Sequence, residues 1–276
     1  MLVRQGRWSI RKVARYIGVH ASTVSRWVKK TGSEERREIP TISSRPHHSP
    51  NAIDPKIVDR IVAIRKEHGR CAQVVHAQLE REGIHVHLNT VKRTLDRKGL
   101  LKKRSPYKRY HPHVDRPYVV HPGDLVELDS IHIMVGEKDR IYVITLIDLH
   151  SRWSYAKAST KLSGAITLRF VKEAEEHAGF RFHMLQSDHG PEFSSWFVRR
   201  IETDHRYSRI GKPNDNSHIE RFNRTIQEEM QSQIIRYKTN IPRLNREIMK
   251  YLRYYNHERL HMGIGFKTPS EVLQRS

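Results

Sequence analysis

Acidic residues at three separate places in the chain could bind a divalent cation together. Asp129 lies in the middle of the strand-like segment "VELDSIHI", and Asp188 ends the segment that runs into "QSDHGPEF". Glu220 lies near the start of a predicted helix, beside the polar stripe that contains Asn223. Carboxylate oxygens are the ligands that Mg²⁺ and Mn²⁺ prefer. If the fold brought the three acids together, the protein could hold such a cation.

Each of these acids also has an ordinary structural explanation. Asp129 could belong to an edge strand, although an acid within an apolar strand is unfavourable unless it is solvated or bound. Asp188 could begin a turn, and Glu220 could be favoured by the positive end of its helix. Spacing alone does not choose among the acids of this region, and five others compete on similar terms: Asp124, Glu127, Asp139, Asp148 and Glu192.

The charge of the chain points to a polyanionic partner. The 276 residues carry 51 Lys+Arg and 30 Asp+Glu, a net charge of +21. Residues 1–110 hold 26 of these basic residues and 9 of the acids, so most of the excess lies there. Nucleic acid is the obvious polyanion for such a protein. The remainder of the chain is closer to neutral and keeps enough acids for chemistry.

Several classes of protein are not expected. Cys71 is the single cysteine, which excludes an intrachain disulfide and any zinc site that needs two cysteines. The first residues lack the apolar core of a signal peptide, and no apolar run approaches the roughly 20 residues of a membrane span. We therefore expect a soluble, cytoplasmic protein associated with the nucleoid.

Residues 8–30 have the pattern of a helix-turn-helix. Ser9 can cap a first helix whose apolar face includes Ile17, Gly18 permits a tight turn, and Ala21–Lys30 forms a second helix. A plain helical hairpin with a solvated basic face is the alternative. The second helix exposes residues suited to base edges and phosphates, namely Ser22, Thr23, Ser25, Arg26 and Lys29.

A second helical region follows a polar linker. Helices are predicted at 54–68, 71–82 and 88–98, and together they resemble a second helix-turn-helix to which a β-wing could be added. The basic segment after the last helix could follow a DNA backbone, or it could be a solvated linker over residues 102–115. Candidate DNA contacts in this region are Asn89, Thr90, Lys92, Arg93, Lys102, Lys103 and Arg104.

From residue 116 the chain reads as a mixed α/β domain. The predicted order is β-β-α-β-α-β-α. The predicted elements are strands at 124–135 and 140–159, a helix at 163–179, a strand ending at Asp188, a helix at 191–203, a strand at 205–210 and a helix at 216–235.

Several segments of the chain resemble those of a known family. The segments "ELDSIHI", "LIDLHSRWSYAKAS", "QSDHGPEF" and "GKPNDNSHIERFNRTIQEE" occur in the order found in DDE integrases of the retroviral type, which include many bacterial insertion-sequence transposases. The tail "YLRYYNHERLHMGIGFKTPSEVL" is similar to the ending of those transposases. The resemblance covers roughly residues 118–273, and the two helix-turn-helix units fit the same group.

The resemblance implies an α/β ribonuclease H-like catalytic core, with a mixed sheet flanked by helices, preceded by all-α helix-turn-helix DNA-binding domains. It carries the metal-binding and catalytic roles onto Asp129, Asp188 and Glu220. It makes Asp148 a structural acid and leaves Glu192 outside the triad. The implied domains are 1–45, 46–115, 116–235 and a helical extension at 236–276.

The resemblance also implies a reaction and partners. Two Mg²⁺ or Mn²⁺ ions per site would support 3′-end nicking and strand transfer into target DNA. Double-stranded DNA and other copies of the chain are the expected partners, with no membrane and no small-molecule substrate. Residues expected to support the triad or contact DNA are His189, Asn216, His218, Arg221 and Arg224. A helix-turn-helix regulator with a non-catalytic α/β assembly domain and a purely hydrolytic nuclease are the alternatives.

The chain departs from the family pattern in four respects. Thirty-one residues separate Asp188 from Glu220, a few fewer than is most common, so the helix or loop around 200–206 is expected to be short. Gln227 stands where many relatives carry Lys, and Leu260 replaces a frequent Pro. A single cysteine excludes the His/Cys zinc domain of retroviral integrases. None of these departures removes a member of the triad.

Overall fold

The computed structural model describes residues 2–3, 6–30, 52–101, 118–137, 139–209 and 213–274. They fall into two compact units, Met1–Asp54 and Pro55–Ser276. The first contains helices α1 (Ile10–Ile17) and α2 (Ala21–Lys30). Among the described residues, no helix has the length and apolar character needed to cross a membrane.

The first unit confirms the predicted helical pair. The Ser9 side chain caps α1 by accepting from the amide of Lys12 over 3.2 Å, and Gly18 takes the left-handed conformation with φ 77°. A small core forms from Val13, Ala14 and Val24. Ile17, the last residue of α1, was expected on this apolar face but is 47% exposed.

The second unit begins with three helices, α3 (Pro55–His68), α4 (Ala72–Arg81) and α5 (Leu88–Arg97), close to the predicted limits. The ring of His87 caps α5 by accepting from the amide of Asn89 over 3.1 Å. The expected wing and the basic segment with Lys102, Lys103 and Arg104 lie outside the described residues. The side chains that form the core of this bundle are Ile61, Ile64, Val75, Leu79, Val91 and Leu95.

A five-stranded sheet follows, with the strand order β3-β2-β1-β4-β5. Its first three strands are antiparallel, and β4 and β5 run parallel to β1. The strands are β1 (Val126–Met134), β2 (Arg140–Asp148), β3 (Ser154–Ser159), β4 (Met184–Ser187) and β5 (Asp204–Tyr207). A mixed sheet flanked by helices and preceded by helical segments confirms the predicted fold class.

The remaining helices are α6 (Gly164–Ala178), α7 (Ser195–Val198), α8 (Ser217–Glu229), α9 (Gln231–Tyr237), α10 (Ile241–His257) and α11 (Pro269–Leu273). Successive strand residues face opposite sides of a sheet. On one side Tyr155 contacts Phe170 of α6, and on the other Thr145 bonds to Asn223 of α8. The sheet therefore lies between α6 and α8, and the acids share the α8 side.

Three predicted elements are wrong in detail. The strand predicted at 140–159 is two strands, since buried Asp148 turns the chain between them by accepting from Ser151 and from the amide of Gly123. The helix predicted at 191–203 is a 3₁₀ turn at Pro191–Phe193 followed by the four-residue α7. The helix predicted at 216–235 is interrupted at Met230, which separates α8 from α9.

The tail residues that carry the family resemblance fasten the C-terminal segment to the core. The Asn256 side chain bonds to both the amide and the carbonyl of Ser154 on β3. Arg259 pairs with Glu229 at the end of α8 over 3.0 Å. Thr268 forms a capping box with Glu271 at the start of α11. These contacts give the tail a structural role.

Candidate active site

Asp129 is held from two sides in the middle of β1. Its Oδ1 accepts from the amide of Ser130 and its Oδ2 accepts from the side-chain amide of Asn223 on α8, both over 2.7 Å. The Oδ1 of Asn223 in turn accepts from the hydroxyl of Thr145, the residue opposite Asp129 on β2. Asp129 is therefore fixed to the sheet and to α8 at once.

The electrostatics around Asp129 favour a cation. Burial and, after it, the charges of Asp188, Glu192 and Glu220 raise the pKa of Asp129 from 3.8 to about 6, against the opposing bond from Ser130. Like-charged carboxylates that converge in this way disfavour one another's ionised forms. A divalent cation would relieve the repulsion, and its preference for oxygen ligands matches this set of donors.

Asp188 lies one residue beyond β4 and is exposed. Its Oδ1 accepts from the amide of Gly190 over 2.9 Å, so the side chain closes the turn at the strand end. A Cβ at position 190 would lie 3.0 Å from that oxygen and 2.8 Å from Oε2 of Glu192. Glycine at 190 therefore allows the two carboxylates to approach each other.

Glu192 belongs to the same group of acids, although the resemblance leaves it outside the triad. It is only 6% exposed and accepts a 2.6 Å hydrogen bond from the hydroxyl of Ser130, the residue next to Asp129. Its position in the "GPEF" turn did not distinguish it from other competing acids. Ser130, Thr145 and Asn223 were likewise not predicted, because their roles depend on pairings between distant elements.

Glu220 lies in the first turn of α8 and is exposed. The neighbouring Ile219 and Phe222 are buried and pack the helix against the core. In the part of the chain that the structure describes, no three His, Cys, Asp or Glu side chains are arranged to hold one metal ion. Asp129, Asp188 and Glu192 each accept a hydrogen bond, whereas Glu220 is exposed on α8. Rotation of the Glu220 side chain would alter the spacing of these acids.

The residues expected to support the triad occupy different settings. His189 is exposed and stacks on Tyr207 with ring centroids 4.7 Å apart. Asn216 joins two segments, accepting from Gln186 over 2.8 Å and donating to Ser208 over 3.2 Å. His218 is half-buried in the first turn of α8. Arg221, Arg224 and Gln227 are exposed on the same helix.

The candidate DNA contacts lie mostly at the surface of their helices. On α2, Ser22, Arg26 and Lys29 are exposed, while Thr23 and Ser25 are half-buried. On α5, the exposed candidates are Asn89, Lys92 and Arg93, and Thr90 is half-buried.

Comparisons with known proteins support the class that the fold and the acids suggest. Residues 201–269 match the family model described as integrase core domain, and residues 1–67 match the leucine-zipper of insertion element IS481. The chain is 26% identical over 236 residues to the transposase for insertion sequence element IS904 of Lactococcus lactis subsp. lactis, covering 77% of this chain and 91% of the relative. It is 23% identical over 248 residues to the insertion element IS407 uncharacterized 31.7 kDa protein of Burkholderia multivorans, covering 87% of each.

Two solved structures are also similar. The HTLV-2 integrase catalytic core domain in complex with magnesium has a TM-score of 0.44 and 19% identity, over 55% of this chain and 97% of that one. A chain of the simian T-cell lymphotropic virus intasome in complex with PP2A regulatory subunit B56 gamma has a TM-score of 0.49 and 16% identity, over 77% and 74%.

Residues 201–269 thus match an integrase core, as the motifs predicted. The chain as a whole is similar to proteins of bacterial insertion sequences, among them a transposase.

Proposed function

We propose that the protein is a DDE polynucleotidyl transferase that binds the ends of a mobile element, nicks their 3′ ends and joins them to target DNA. One observation carries the proposal. Burial, together with the charges of Asp188, Glu192 and Glu220, raises the pKa of half-buried Asp129 to about 6, so acids from the turn after β4 and from α8 act on one carboxyl group of β1. Such a group of acids is costly to the fold and is typical of a functional site.

Asp129, Asp188 and Glu220 are the proposed ligands of two Mg²⁺ or Mn²⁺ ions. When bound, such ions activate the attacking oxygen and neutralise charge that develops on the phosphate. The carboxylates supply hard oxygen donors, and Asn223 and Ser130 hold Asp129 in place before any ion arrives.

The basic residues of α8 are the proposed contacts of the reacting strand. Arg221 and Arg224 follow Glu220 by one and four residues and are exposed. Guanidinium groups bind phosphates in bidentate fashion, so these side chains would orient the DNA backbone beside the acids. His189 is exposed next to Asp188 and would contact the same strand.

The helices α2 and α5 are the proposed readers of double-stranded DNA. Their exposed polar and basic residues, and the excess of basic residues in 1–110, support this proposal. We also propose that the chain is divided into domains at residues 1–45, 46–115, 116–235 and 236–276. Because two element ends must be held together, a homo-oligomer is also proposed.

The test uses the purified chain, a duplex that carries an element end, and Mg²⁺ or Mn²⁺. Asp129→Asn, Asp188→Asn and Glu220→Gln should each abolish strand transfer and leave DNA binding intact. Glu228→Gln is a matched control for Glu220→Gln, since Glu228 is an exposed acid farther along α8. Asp204→Asn serves similarly for Asp188, and both controls should retain activity.

The same assay separates the rival functions. Cleaved products that are never joined would indicate a purely hydrolytic nuclease. DNA binding without cleavage under either metal ion would indicate a regulator whose α/β region only mediates assembly. Activity retained by any one of the three acid variants would reject that residue as a ligand.

A further inference from the structure

Two buried polar side chains lie next to each other on the α8 side of the sheet. Glu127 on β1 and Gln186 on β4 are partners in the parallel register, and each is only 1% exposed. Each precedes a proposed metal ligand by two residues, so Glu127 shares a face of β1 with Asp129. Polar groups buried this deeply need hydrogen-bond partners, and the partners here lie at the start of α8.

Glu127 caps α8 from the sheet. Its Oε2 accepts from the main-chain amide of Ile219 over 2.7 Å. The first amides of a helix have no partner within the helix, and a carboxylate is favourable at that positive end. The N-cap residue of α8, Asn216, makes no capping bond with its own side chain. A residue from a distant strand therefore caps the amide of Ile219, a role that the Asn216 side chain does not take.

Gln186 holds the turn that leads into α8. Its Nε2 donates to the carbonyl of Asp215 and to Oδ1 of Asn216, each over 2.8 Å. Its own Oε1 accepts from the guanidinium of Arg206 on β5, with Nε at 2.7 Å. Both ends of the Gln186 amide are thus engaged, and the side chain has one orientation available.

We propose that Glu127 and Gln186 are positioning residues that fix the first turn of α8 and thereby place Glu220 relative to Asp129 and Asp188. The inference rests on the proposed function, in which Glu220 is a metal ligand. Glu220 directly follows Ile219, whose amide Glu127 binds. Strand β1 carries Asp129, and β4 leads to Asp188. Two residues before each of these ligands, the strand carries a side chain that fixes α8, the helix of the third ligand.

The test compares two substitutions at one position. Glu127→Leu removes the acceptor and leaves the amide of Ile219 buried without a partner, whereas Glu127→Gln keeps an acceptor oxygen. Glu175→Leu is the matched control, because Glu175 on α6 also accepts from a main-chain amide, that of Phe182 over 2.8 Å. Gln186→Leu tests the second positioning residue.

Three readouts are measured on the full chain. Hydrogen exchange follows the amides of residues 217–222, electron paramagnetic resonance of free Mn²⁺ gives its affinity, and steady-state kinetics separate kcat from KM for DNA. Glu127→Leu should speed exchange, weaken Mn²⁺ binding by about 10-fold or more and lower kcat without raising KM, as expected for a residue that orients a ligand. Glu127→Gln should restore most of the Mn²⁺ affinity, and Gln186→Leu should resemble Glu127→Leu. Glu175→Leu should leave Mn²⁺ affinity and kcat at the wild-type level.

A double variant isolates the route through Glu220. If Glu127 acts by placing Glu220, adding Glu127→Leu to Glu220→Gln should cause no further loss of Mn²⁺ affinity. Additive losses of Mn²⁺ affinity in the double variant, or unchanged hydrogen exchange in Glu127→Leu, would overturn the positioning role. If the wild-type protein is active in that case, the proposed function still stands. A wild-type protein that neither binds Mn²⁺ nor joins DNA would instead reject the proposed function, and the catalytic consequence of the two residues with it.

Discussion

The side-chain amide of Asn223 donates to Asp129 over 2.7 Å, which joins α8 to the middle of β1. Asn223 follows Glu220 by three residues, so the two side chains share a face of the helix. The same Asn223 accepts from Thr145 on β2 over 2.7 Å. One amide group therefore ties a central acid of the site, two strands and the helix that carries Glu220.

Replacing Asn223 should damage both stability and the site. Asn223→Ala leaves an oxygen of Asp129 and the hydroxyl of Thr145 without this partner, at a cost of about 1–3 kcal/mol in the free energy of unfolding. Urea denaturation measures that loss, and Mn²⁺ titration should show weaker binding. Asn245→Ala is the control, since Asn245 also makes a pair of bonds to the sheet, to the amide and carbonyl of Ala158 on the edge strand β3, and none of these bonds involves an acid. Equal effects of both variants on Mn²⁺ affinity would contradict a specific role for Asn223.

Magnesium should stabilise the wild-type protein through Asp129. The pKa of Asp129 is raised from 3.8 to about 6, so ionising it costs the folded state about 3 kcal/mol. Because the folded pKa is the higher one, this cost is absent below pH 4 and complete above pH 6. At pH 7.5, added Mg²⁺ should raise the melting temperature of the wild type and chelation should reverse the gain. Equal stabilisation of Asp129→Asn by Mg²⁺ would contradict this account.

The local signals in the sequence were sufficient for much of the fold. Ser9 accepts the capping bond that begins α1, as its residue type predicted, and Ser163 accepts the one that begins α6, where a helix was predicted from residue 163. The turn between β2 and β3 gave no such signal, because it contains neither glycine nor proline. Its left-handed residue is Arg152, with φ 67°, and buried Asp148 binds both Ser151 within the turn and the amide of Gly123 from a distant segment. The contact with Gly123 has no local pattern.

Some residues of the site could likewise be predicted from the local sequence, and others could not. Asp129 was visible as an acid that interrupts an apolar strand, and Asp188 as an acid at a strand end. The setting of Glu192, with its bond to Ser130, depends on how the turn after β4 packs against β1. Glu127 also interrupts the apolar pattern of β1, but its role depends on an amide 92 residues later in the chain. Only the folded structure brings such groups together.

The basic residues of α5 should contribute binding that depends on salt. Lys92 and Arg93 are exposed on this helix. Replacing both with alanine should weaken DNA binding similarly for specific and unrelated duplexes, and should reduce the slope of log affinity against log salt by about 2 if both contact phosphates. Fluorescence anisotropy over a range of salt concentrations measures the slope. Lys172→Ala is a control on α6, where Lys172 pairs with Glu202. An unchanged slope would place α5 away from the DNA.

His261 should make the protein lose stability in mild acid. It is 8% exposed, and burial together with the charges of Arg259 and Arg70 lowers its pKa to about 3. In the unfolded chain His261 is protonated below about pH 6.5, whereas in the folded chain it stays neutral until about pH 3. The free energy of unfolding therefore falls as the pH falls from 6.5 towards 3. The limiting contribution to the slope is about 1.4 kcal/mol per pH unit.

Urea denaturation between pH 7 and pH 4.5 tests this assignment. His261→Gln removes the titrating group but keeps a nitrogen that can donate to the carbonyl of Tyr255, which the His261 ring approaches to 3.3 Å. The variant should therefore show a shallower loss of stability with falling pH, by up to about 1.4 kcal/mol per unit. His183→Gln, at an exposed histidine, should keep the wild-type slope. If His261→Gln retains the full slope, the acid sensitivity of the protein arises from other titrating groups.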